Sequence, residues 1–323
     1  MNKETLRIVF MGTPDFAVES LKALVEGGYN IVGVVTMPDK PVGRHGHSLQ
    51  PSPVKQFALE HGIKVLQPER LKDEVFLKEL EDLNADLQIV VAFRMLPEVV
   101  WDMPHLGTFN LHASLLPQYR GAAPINWAVI NGEKETGVST FFLNHDIDTG
   151  EVIKQVKVPI QDDENVGDVH DKLMTVGAKL VTETVDRIIN GTRHTIDQEL
   201  MYGENEKLKP APKIFRDTCR IDWKQPTKKI YDFIRGLSPY PAAWTVLYDG
   251  DKQIDMKIYE AQKAEETKGL TPGTIETDGK SFLKVATATG WLNVNTIQQA
   301  GKKRMDIADF LKGAKTTTSA FFN

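Results

Sequence analysis

Between residues 6 and 92, short apolar runs alternate with amphipathic stretches of helical length, and this alternation restricts the fold more than any other feature of the chain. Residues 6–11 read as a buried strand, and residues 14–26 as a helix with Phe16, Ala17, Leu21, Leu24 and Val25 at helical spacing. Residues 31–36 form a second strand, 54–61 a helix, 65–66 a short strand, 75–83 a helix and 87–92 a strongly apolar strand. Strands separated by such helices make βαβ units, and βαβ units build a mostly parallel sheet. Residues 137–143 and 152–158 then read as two strands around a loop, and 166–189 as a long amphipathic helix stopped by Asn190-Gly191.

Beyond residue 190 the texture changes. Residues 191–206 are polar, with Gly203 and Asn205, and read as a linker. After one helix over 223–236, short strands over 243–248, 254–261, 273–277, 282–287 and 291–297 are separated by turn pairs such as Asp249-Gly250 and Asp278-Gly279. Strands at this spacing point to a small β-barrel of the OB type, an architecture that often binds nucleic acid. The expected fold is therefore α/β: a Rossmann-like, mostly parallel sheet domain over residues 1–190, a linker over 191–206 and an OB-like barrel over 207–323. A length of 323 residues agrees with two domains.

Charge divides at the same place. Residues 206–323 hold 20 Lys and Arg against 14 Asp and Glu, a net of +6, while residues 1–205 carry a net of −11. A basic segment beside an acidic one hints at a polyanionic partner, although a Lys-rich solvated face has the same signature. The N-terminus lacks the apolar core and cleavage site of a signal peptide, and no stretch approaches the ~20 apolar residues that span a bilayer. A single cysteine, Cys219, rules out an intrachain disulfide or a cysteine zinc cluster, so the cytoplasm is the expected compartment and no membrane is expected as a partner. Met11-Gly12-Thr13-Pro14 stands where a nucleotide-binding fold carries its phosphate loop, but two of the three glycines of that fingerprint are missing. Thr13 as N-cap before Pro14 gives it a structural explanation.

The chemistry concentrates between Asn110 and Trp127. Apolar Phe109 and Leu111 alternate with Asn110 and His112, so on a strand the two polar residues share a face. The carboxyl end of a strand is where open α/β sheets place their ligands. Downstream, Asp146-Ile147-Asp148-Thr149-Gly150 occupies the loop between two strands. Asn and His can hydrogen-bond the oxyanion of a tetrahedral intermediate, and His with Asp can manage the proton of an attacking amine. Each piece alone also fits an ordinary turn or a structural histidine.

Taken in order and spacing, these residues resemble the folate-dependent formyltransferases, whose signature is an Asn-x-His pair, a Ser-Leu-Leu-Pro segment and a later Asp. The resemblance covers nearly the whole chain. Met11-Gly12-Thr13-Pro14-Asp15-Phe16, Gln50-Pro51-Ser52-Pro53-Val54-Lys55, Arg120-Gly121-Ala122-Ala123-Pro124-Ile125 and Ile221-Asp222-Trp223 place it nearest the branch that formylates an aminoacyl-tRNA.

The resemblance implies transfer of the formyl group of 10-formyltetrahydrofolate to the free amine of methionyl-initiator tRNA, with no metal. It implies Asn110, His112 and Asp148 as catalytic residues, and Ser114, Leu115, Leu116 and Pro117 as part of the folate site, with a cis Leu116–Pro117 bond. The barrel domain is expected to contact tRNA, and no protein partner is evident. One departure stands out: Phe93-Arg94-Met95-Leu96-Pro97 replaces the slightly longer, glycine-containing loop with which the family lines its pterin pocket. Residues 38–53 form a long Pro-rich loop with a basic tip, and Arg44 is the residue expected to enter the acceptor end of tRNA. Two other functions fit parts of the pattern: formyl transfer to an amino-sugar nucleotide, and a nucleic-acid-binding module with an inactive α/β half.

Overall fold

In the computed structural model, which describes residues 1–42, 48–192, 194–313 and 320–323, the chain divides into two units. The first comprises Met1–Gly121, Glu135–Pro159 and His170–Pro210, and the second Ala122–Lys134, Ile160–Val169 and Ala211–Asn323. The second unit is thus discontinuous, drawing two inner stretches to the C-terminal one.

In chain order the elements of the first two-thirds are β1 (Ile8–Gly12), α1 (Asp15–Glu26), β2 (Ile31–Val35), β3 (Lys40–Val42), β4 (Ser48–Gln50), α2 (Pro53–Glu60), β5 (Val65–Leu66) and α3 (Glu74–Asp82). There follow β6 (Leu87–Val91), α4 (Glu98–Trp101), β7 (Thr108–His112), α5 (Pro124–Ile130), β8 (Glu135–Phe142), β9 (Val152–Pro159) and α6 (Val166–Ile189). The main sheet of the first unit has the order β5-β2-β1-β6-β7-β8-β9. From β5 through β7 it is parallel, and β8 and β9 add on antiparallel. The order reverses between β1 and β6, because the chain moves outward to β2 and β5 before returning on the other side of β1. Their carboxyl ends therefore border the crevice in which such sheets bind ligands.

Local chemistry explains these elements. β1 and β6 are buried along their whole length, as strands covered on both faces must be. Gly12 is a packing glycine: a Cβ there would stand 2.6 Å from Ala17 Cβ and 2.7 Å from the Val91 carbonyl oxygen. Gly177 does the same for α6, where a Cβ would meet Leu111 of β7 at 2.7 Å. The expected cap at Thr13 is not formed. The N-cap of α1 is Pro14, in extended conformation and without a side-chain cap, because the helix begins one residue later, at Asp15. In place of a featureless loop over 38–53, β3 and β4 pair as a short antiparallel hairpin, anchored where Lys55 Nζ meets Asp39 Oδ2 at 2.7 Å. The hydrogen bond from Lys55, joined by one from Gln67, holds the Asp39 carboxyl below its ordinary range.

The second unit adds α7 (Thr227–Leu237), β10 (Ala243–Asp249), β11 (Lys252–Glu266), β12 (Ile275–Thr277), β13 (Leu283–Ala286), β14 (Gly290–Gln299), β15 (Met305–Asp306), α8 (Ile307–Gly313) and β16 (Phe321–Phe322). The antiparallel sheet runs β12-β13-β14-β11-β10-β16. Its two ends meet where Thr274 bridges Phe321 and the Phe322 N–H donates to the Gly273 carbonyl at 2.9 Å, so the sheet is a nearly closed barrel. Gly273 (φ 90°) permits that closure, since a Cβ there would lie 2.2 Å from Phe322 O. The expected helix start at Trp223 is corrected to Thr227, with Pro226 as N-cap. A residue preceding proline is driven out of helical conformation, and Trp223 is instead buried, donating from Nε1 to Thr245 Oγ1 at 2.9 Å. Among the described residues no helix is long and apolar enough to cross a membrane.

One buried ion pair ties an inner stretch of the second unit to α7. Arg235 Nε donates to Asp232 Oδ1 at 2.8 Å, and Nη1 donates to the carbonyls of Gln161 and Glu164 at 3.2 and 2.9 Å. Lys228 Nζ also pairs with Asp232 Oδ2, so loss of Arg235 leaves the carboxylate paired and takes the donor from the Gln161 and Glu164 carbonyls. Arg235→Met is expected to lower unfolding stability by about 1–3 kcal/mol in chemical denaturation, and an unchanged stability would contradict the role given to Arg235.

Candidate active site

β7 presents its residues alternately, as the sequence requires. Phe109 and Leu111 are buried, Asn110 is half-buried and His112 is 7% exposed. Parallel pairing sets Asn110 opposite Val90, and antiparallel pairing sets His112 opposite Ser139. Among the described residues no protein partner takes the Asn110 carboxamide in a hydrogen bond, so its donors and acceptor are free for a ligand.

His112 is tied on one side. Its Nε2 lies 2.9 Å from the Tyr119 carbonyl oxygen, and because a carbonyl only accepts, Nε2 carries a hydrogen. The other nitrogen, Nδ1, faces Asp148 Oδ2 at 3.9 Å. This is an ion-pair separation and too long for a hydrogen bond. In the neutral ring a lone pair points at a carboxylate, whereas a proton on Nδ1 converts the same contact into attraction. The Phe141 ring stands edge-on to the imidazole, with centroids 6.4 Å apart.

Two turns bring these groups together. The carbonyl that holds His112 belongs to Tyr119, and the N–H of Gly121, two residues on, donates to Asp148 Oδ2 at 3.0 Å. Tyr119 (φ 61°) and Asp148 (φ 56°) are both left-handed, a conformation that costs non-glycine residues about 1–3 kcal/mol each and persists only where the surroundings enforce it. The Tyr119 N–H is held by the Lys209 carbonyl at 2.7 Å. The Asp148 loop is closed at its tip by Asn144, whose Oδ1 accepts from Asp146 N at 3.1 Å and Thr149 Oγ1 at 3.0 Å. At its root, Gln198 Nε2 donates to the carbonyls of Asp148 and Gly150, both at 2.8 Å.

The segment from Ser114 to Pro117 is placed immediately after β7 and is pinned from within. The Ser114 hydroxyl, fully buried, donates to Gln118 O at 2.6 Å, and its carbonyl accepts from Ser139 Oγ at 2.6 Å. Leu116 N donates to Ser139 Oγ at 3.1 Å and Leu116 O accepts from Gln155 Nε2 at 2.7 Å. Leu116 and Pro117 are buried, Leu115 is half-buried, and the Leu116–Pro117 bond is cis. Arg94, in the loop that departs from the family pattern, donates from Nη1 to Glu69 O at 2.8 Å and from Nη2 to Pro68 O. Burial lowers its pKa. Arg44 lies outside the described residues. The structure thus brings Asn110, His112 and Asp148 together and adds Tyr119, Gly121 and Gln198, for which the sequence gives no signal beyond the small residue at 121.

Known proteins resemble this chain in sequence and in fold. Residues 6–185 match the family model described as formyl transferase, and residues 213–315 the model described as formyl transferase, C-terminal domain. The chain is 66% identical over 316 residues to the methionyl-tRNA formyltransferase of Parabacteroides distasonis, covering 98% of each. Its fold resembles the N-formyltransferase from Helicobacter canadensis, solved with folinic acid and dTDP-3-aminofucose (TM-score 0.66, 21% identity, 90% of this chain and 99% of that one). HypX from Aquifex aeolicus, solved with tetrahydrofolic acid, matches 97% of this chain with TM-score 0.63 and 19% identity, and the chain spans 48% of HypX.

The Asp148 loop yields a test of its own. A Cβ at Gly150 would stand 1.7 Å from the Phe142 carbonyl oxygen, so the loop cannot keep its path with alanine there. Gly150→Ala is expected to cost about 1–3 kcal/mol of stability and to depress turnover, read by thermal unfolding and by initial rates. A fully active, equally stable variant would show that the path of this loop is irrelevant to the site.

Proposed function

This chain belongs to the formyl transferase family, and on that footing we propose how its residues carry out the reaction. It transfers the formyl group of 10-formyltetrahydrofolate to the free amine of methionyl-initiator tRNA, the step that prepares that tRNA for translation initiation. The identity to a methionyl-tRNA formyltransferase over 98% of both chains supports this, and solved structural neighbours carry folate compounds. These substrates place the reaction in the cytoplasm.

The observation that carries the site assignment is the pairing of the unoccupied Asn110 carboxamide with a His112 whose Nε2 is tied to Tyr119 O and whose Nδ1 faces Asp148. The acceptor amine is itself the nucleophile. As its lone pair forms the C–N bond, the formyl oxygen becomes an oxyanion, for which the Asn110 amide N–H and the His112 Nδ1–H serve as donors. Asp148 keeps the positive charge on that imidazole. The amine loses one proton and N10 of tetrahydrofolate gains one as the C–N10 bond breaks. The Asp148 carboxylate carries it between them, directly or through water. The segment Ser114, Leu115, Leu116 and Pro117, buried except at the half-buried Leu115, backs the folate pocket. Because the Arg94 guanidinium is engaged by Pro68 and Glu69, the loop over 93–97 contributes backbone and apolar groups toward the pterin.

For tRNA, we assign Arg44 to the acceptor end and the barrel unit to phosphate and base contacts. Exposed Phe215 beneath Lys213 (Nζ 5.5 Å from the ring centroid) and Trp244 flanked by Arg216 and Arg220 (5.3 and 5.5 Å) combine cations with aromatic faces, as single-stranded nucleic acid requires.

Incubation with labelled 10-formyltetrahydrofolate and either charged initiator tRNA or an amino-sugar nucleotide discriminates between acceptors, and label is expected on the tRNA alone. Asn110→Ala and His112→Ala should each lose about 10²–10³ in turnover while folding normally, and near wild-type turnover in either removes that residue from the mechanism. Lys213→Glu should raise KM for tRNA, flatten the salt dependence of tRNA affinity by a slope of about 1 and leave KM for folate unchanged. Equal effects on both substrates would exclude Lys213 as a phosphate contact.

A further inference from the structure

The stretch 191–206 reads in the sequence as a linker, yet Gln198 within it is wholly buried, at 0% exposure, with every hydrogen-bonding position of its carboxamide filled. Nε2 donates twice, to Asp148 O and Gly150 O, both at 2.8 Å. Oε1 accepts twice from Arg120, from Nε at 3.0 Å and Nη2 at 2.8 Å. A guanidinium only donates and a carbonyl only accepts, so the orientation of this amide is settled by its neighbours. The backbone beneath it is equally fixed. Ile196 and Val152 exchange both backbone hydrogen bonds at 2.9 Å, and the Asp197 side chain accepts from Glu199 N at 2.9 Å to cap the short turn that carries Gln198.

The two partners of Gln198 are the two turns that meet at His112. Arg120 stands between Tyr119, whose carbonyl holds Nε2, and Gly121, whose N–H holds the Asp148 carboxylate. Asp148 and Gly150 are the flanks of the second turn, in which Asp148 is kept left-handed at φ 56°. A residue in that conformation relaxes unless its surroundings over-determine it. The two hydrogen bonds from Gln198, on either side of Thr149, supply that constraint. The Gly121 N–H holds the Asp148 carboxylate itself, and the bonds around Asn144 lie at the exposed tip, whereas the Gln198 bonds hold the backbone on both sides of Thr149.

We propose that Gln198 is a positioning residue for formyl transfer: by joining the Arg120 turn to the Asp148 turn it sets the separation between the Asp148 carboxylate and His112 Nδ1. The proposal rests on the roles given above to His112 and Asp148. It needs no contact between Gln198 and either substrate, so its loss should appear in turnover and proton handling with substrate binding preserved.

Two full-length variants separate the arms of the clamp. Gln198→Met keeps the volume and loses all four hydrogen bonds. Gln198→Glu keeps the acceptor for Arg120 and loses both donors to the Asp148 loop, setting a carboxylate against two carbonyls. Steady-state rates with charged initiator tRNA and 10-formyltetrahydrofolate are measured across pH, normalised to the folded fraction from near-ultraviolet circular dichroism. Both variants should lose about 10–100-fold in kcat, the scale on which misplaced catalytic groups act, with KM for both substrates within about threefold of wild type. The pH dependence of kcat should move as well.

Wild-type kcat with an unchanged pH profile in both variants overturns the proposal, as does a rise in KM without a fall in kcat. An active Gln198→Glu beside an impaired Gln198→Met overturns it too, since the Arg120 arm alone would then matter. Should Gln198→Met fail to fold, Gln198→Glu carries the test, and failure of both makes Gln198 a folding residue instead. Asp148→Asn is the control. If it too turns over normally, the role of Asp148 itself is wrong, whereas an inactive Asp148→Asn beside active Gln198 variants defeats the clamp alone.

Discussion

The hydrogen bond from His112 Nε2 to the Tyr119 carbonyl is the interaction on which the site depends. It fixes which nitrogen is committed and therefore which one is left to do chemistry. With Nε2 engaged at 2.9 Å, only Nδ1 can address Asp148 or a developing oxyanion, and at 3.9 Å from the carboxylate it is close enough to share charge without being locked. An imidazole held by two strong hydrogen bonds would have no position to offer a substrate. This one is oriented by a backbone carbonyl and faces a carboxylate without being hydrogen-bonded to it.

The sheet makes that contact possible. β7 lies next to β6, one strand from the point where the order reverses, and its two-residue period turns Asn110 and His112 the same way while Phe109 and Leu111 go to the core. The antiparallel additions β8 and β9 then return the chain so that the loop between them carries Asp148 back to the end of β7. Close packing is tuned by glycine where no side chain fits, at Gly12 between β1 and α1 and at Gly150 beneath Phe142. The backbone strain at Tyr119 and Asp148 is held by these neighbours, which is the arrangement expected of a site whose geometry must not relax between substrates.

Much of this was legible beforehand. Strand–helix alternation marked every parallel strand of the main sheet up to β6, and α6 was bounded correctly at Val166 and Ile189 because an apolar stripe and an Asn-Gly stop bracket it. The alternation of Phe109, Asn110, Leu111 and His112 foretold both the strand and the shared face. What the sequence could not reveal depends on tertiary contact. The short helices α4 and α5 have too few turns for a periodic signal, and α8 shows only Ile307, Phe310 and Leu311 as its buried stripe. The recruitment of Ala122–Lys134 and Ile160–Val169 to the second unit leaves no mark in composition. Tyr119 acts through a carbonyl, which every residue has, and Gln198 is one polar residue in a polar stretch. Neither could be singled out without knowing what lies opposite.

The Tyr119 carbonyl fixes the hydrogen of His112 at Nε2 and leaves Nδ1 facing Asp148. The direct measurement is the tautomeric state of this ring by nitrogen-15 magnetic resonance on histidine-labelled full-length protein, with the signal assigned by its absence from a His112→Gln variant. The neutral ring should be the Nε2–H tautomer, with Nδ1 showing the resonance of an unprotonated nitrogen. A neutral ring carrying its hydrogen on Nδ1 would mean that Tyr119 does not hold Nε2 in solution and would contradict the assignment of roles at this site.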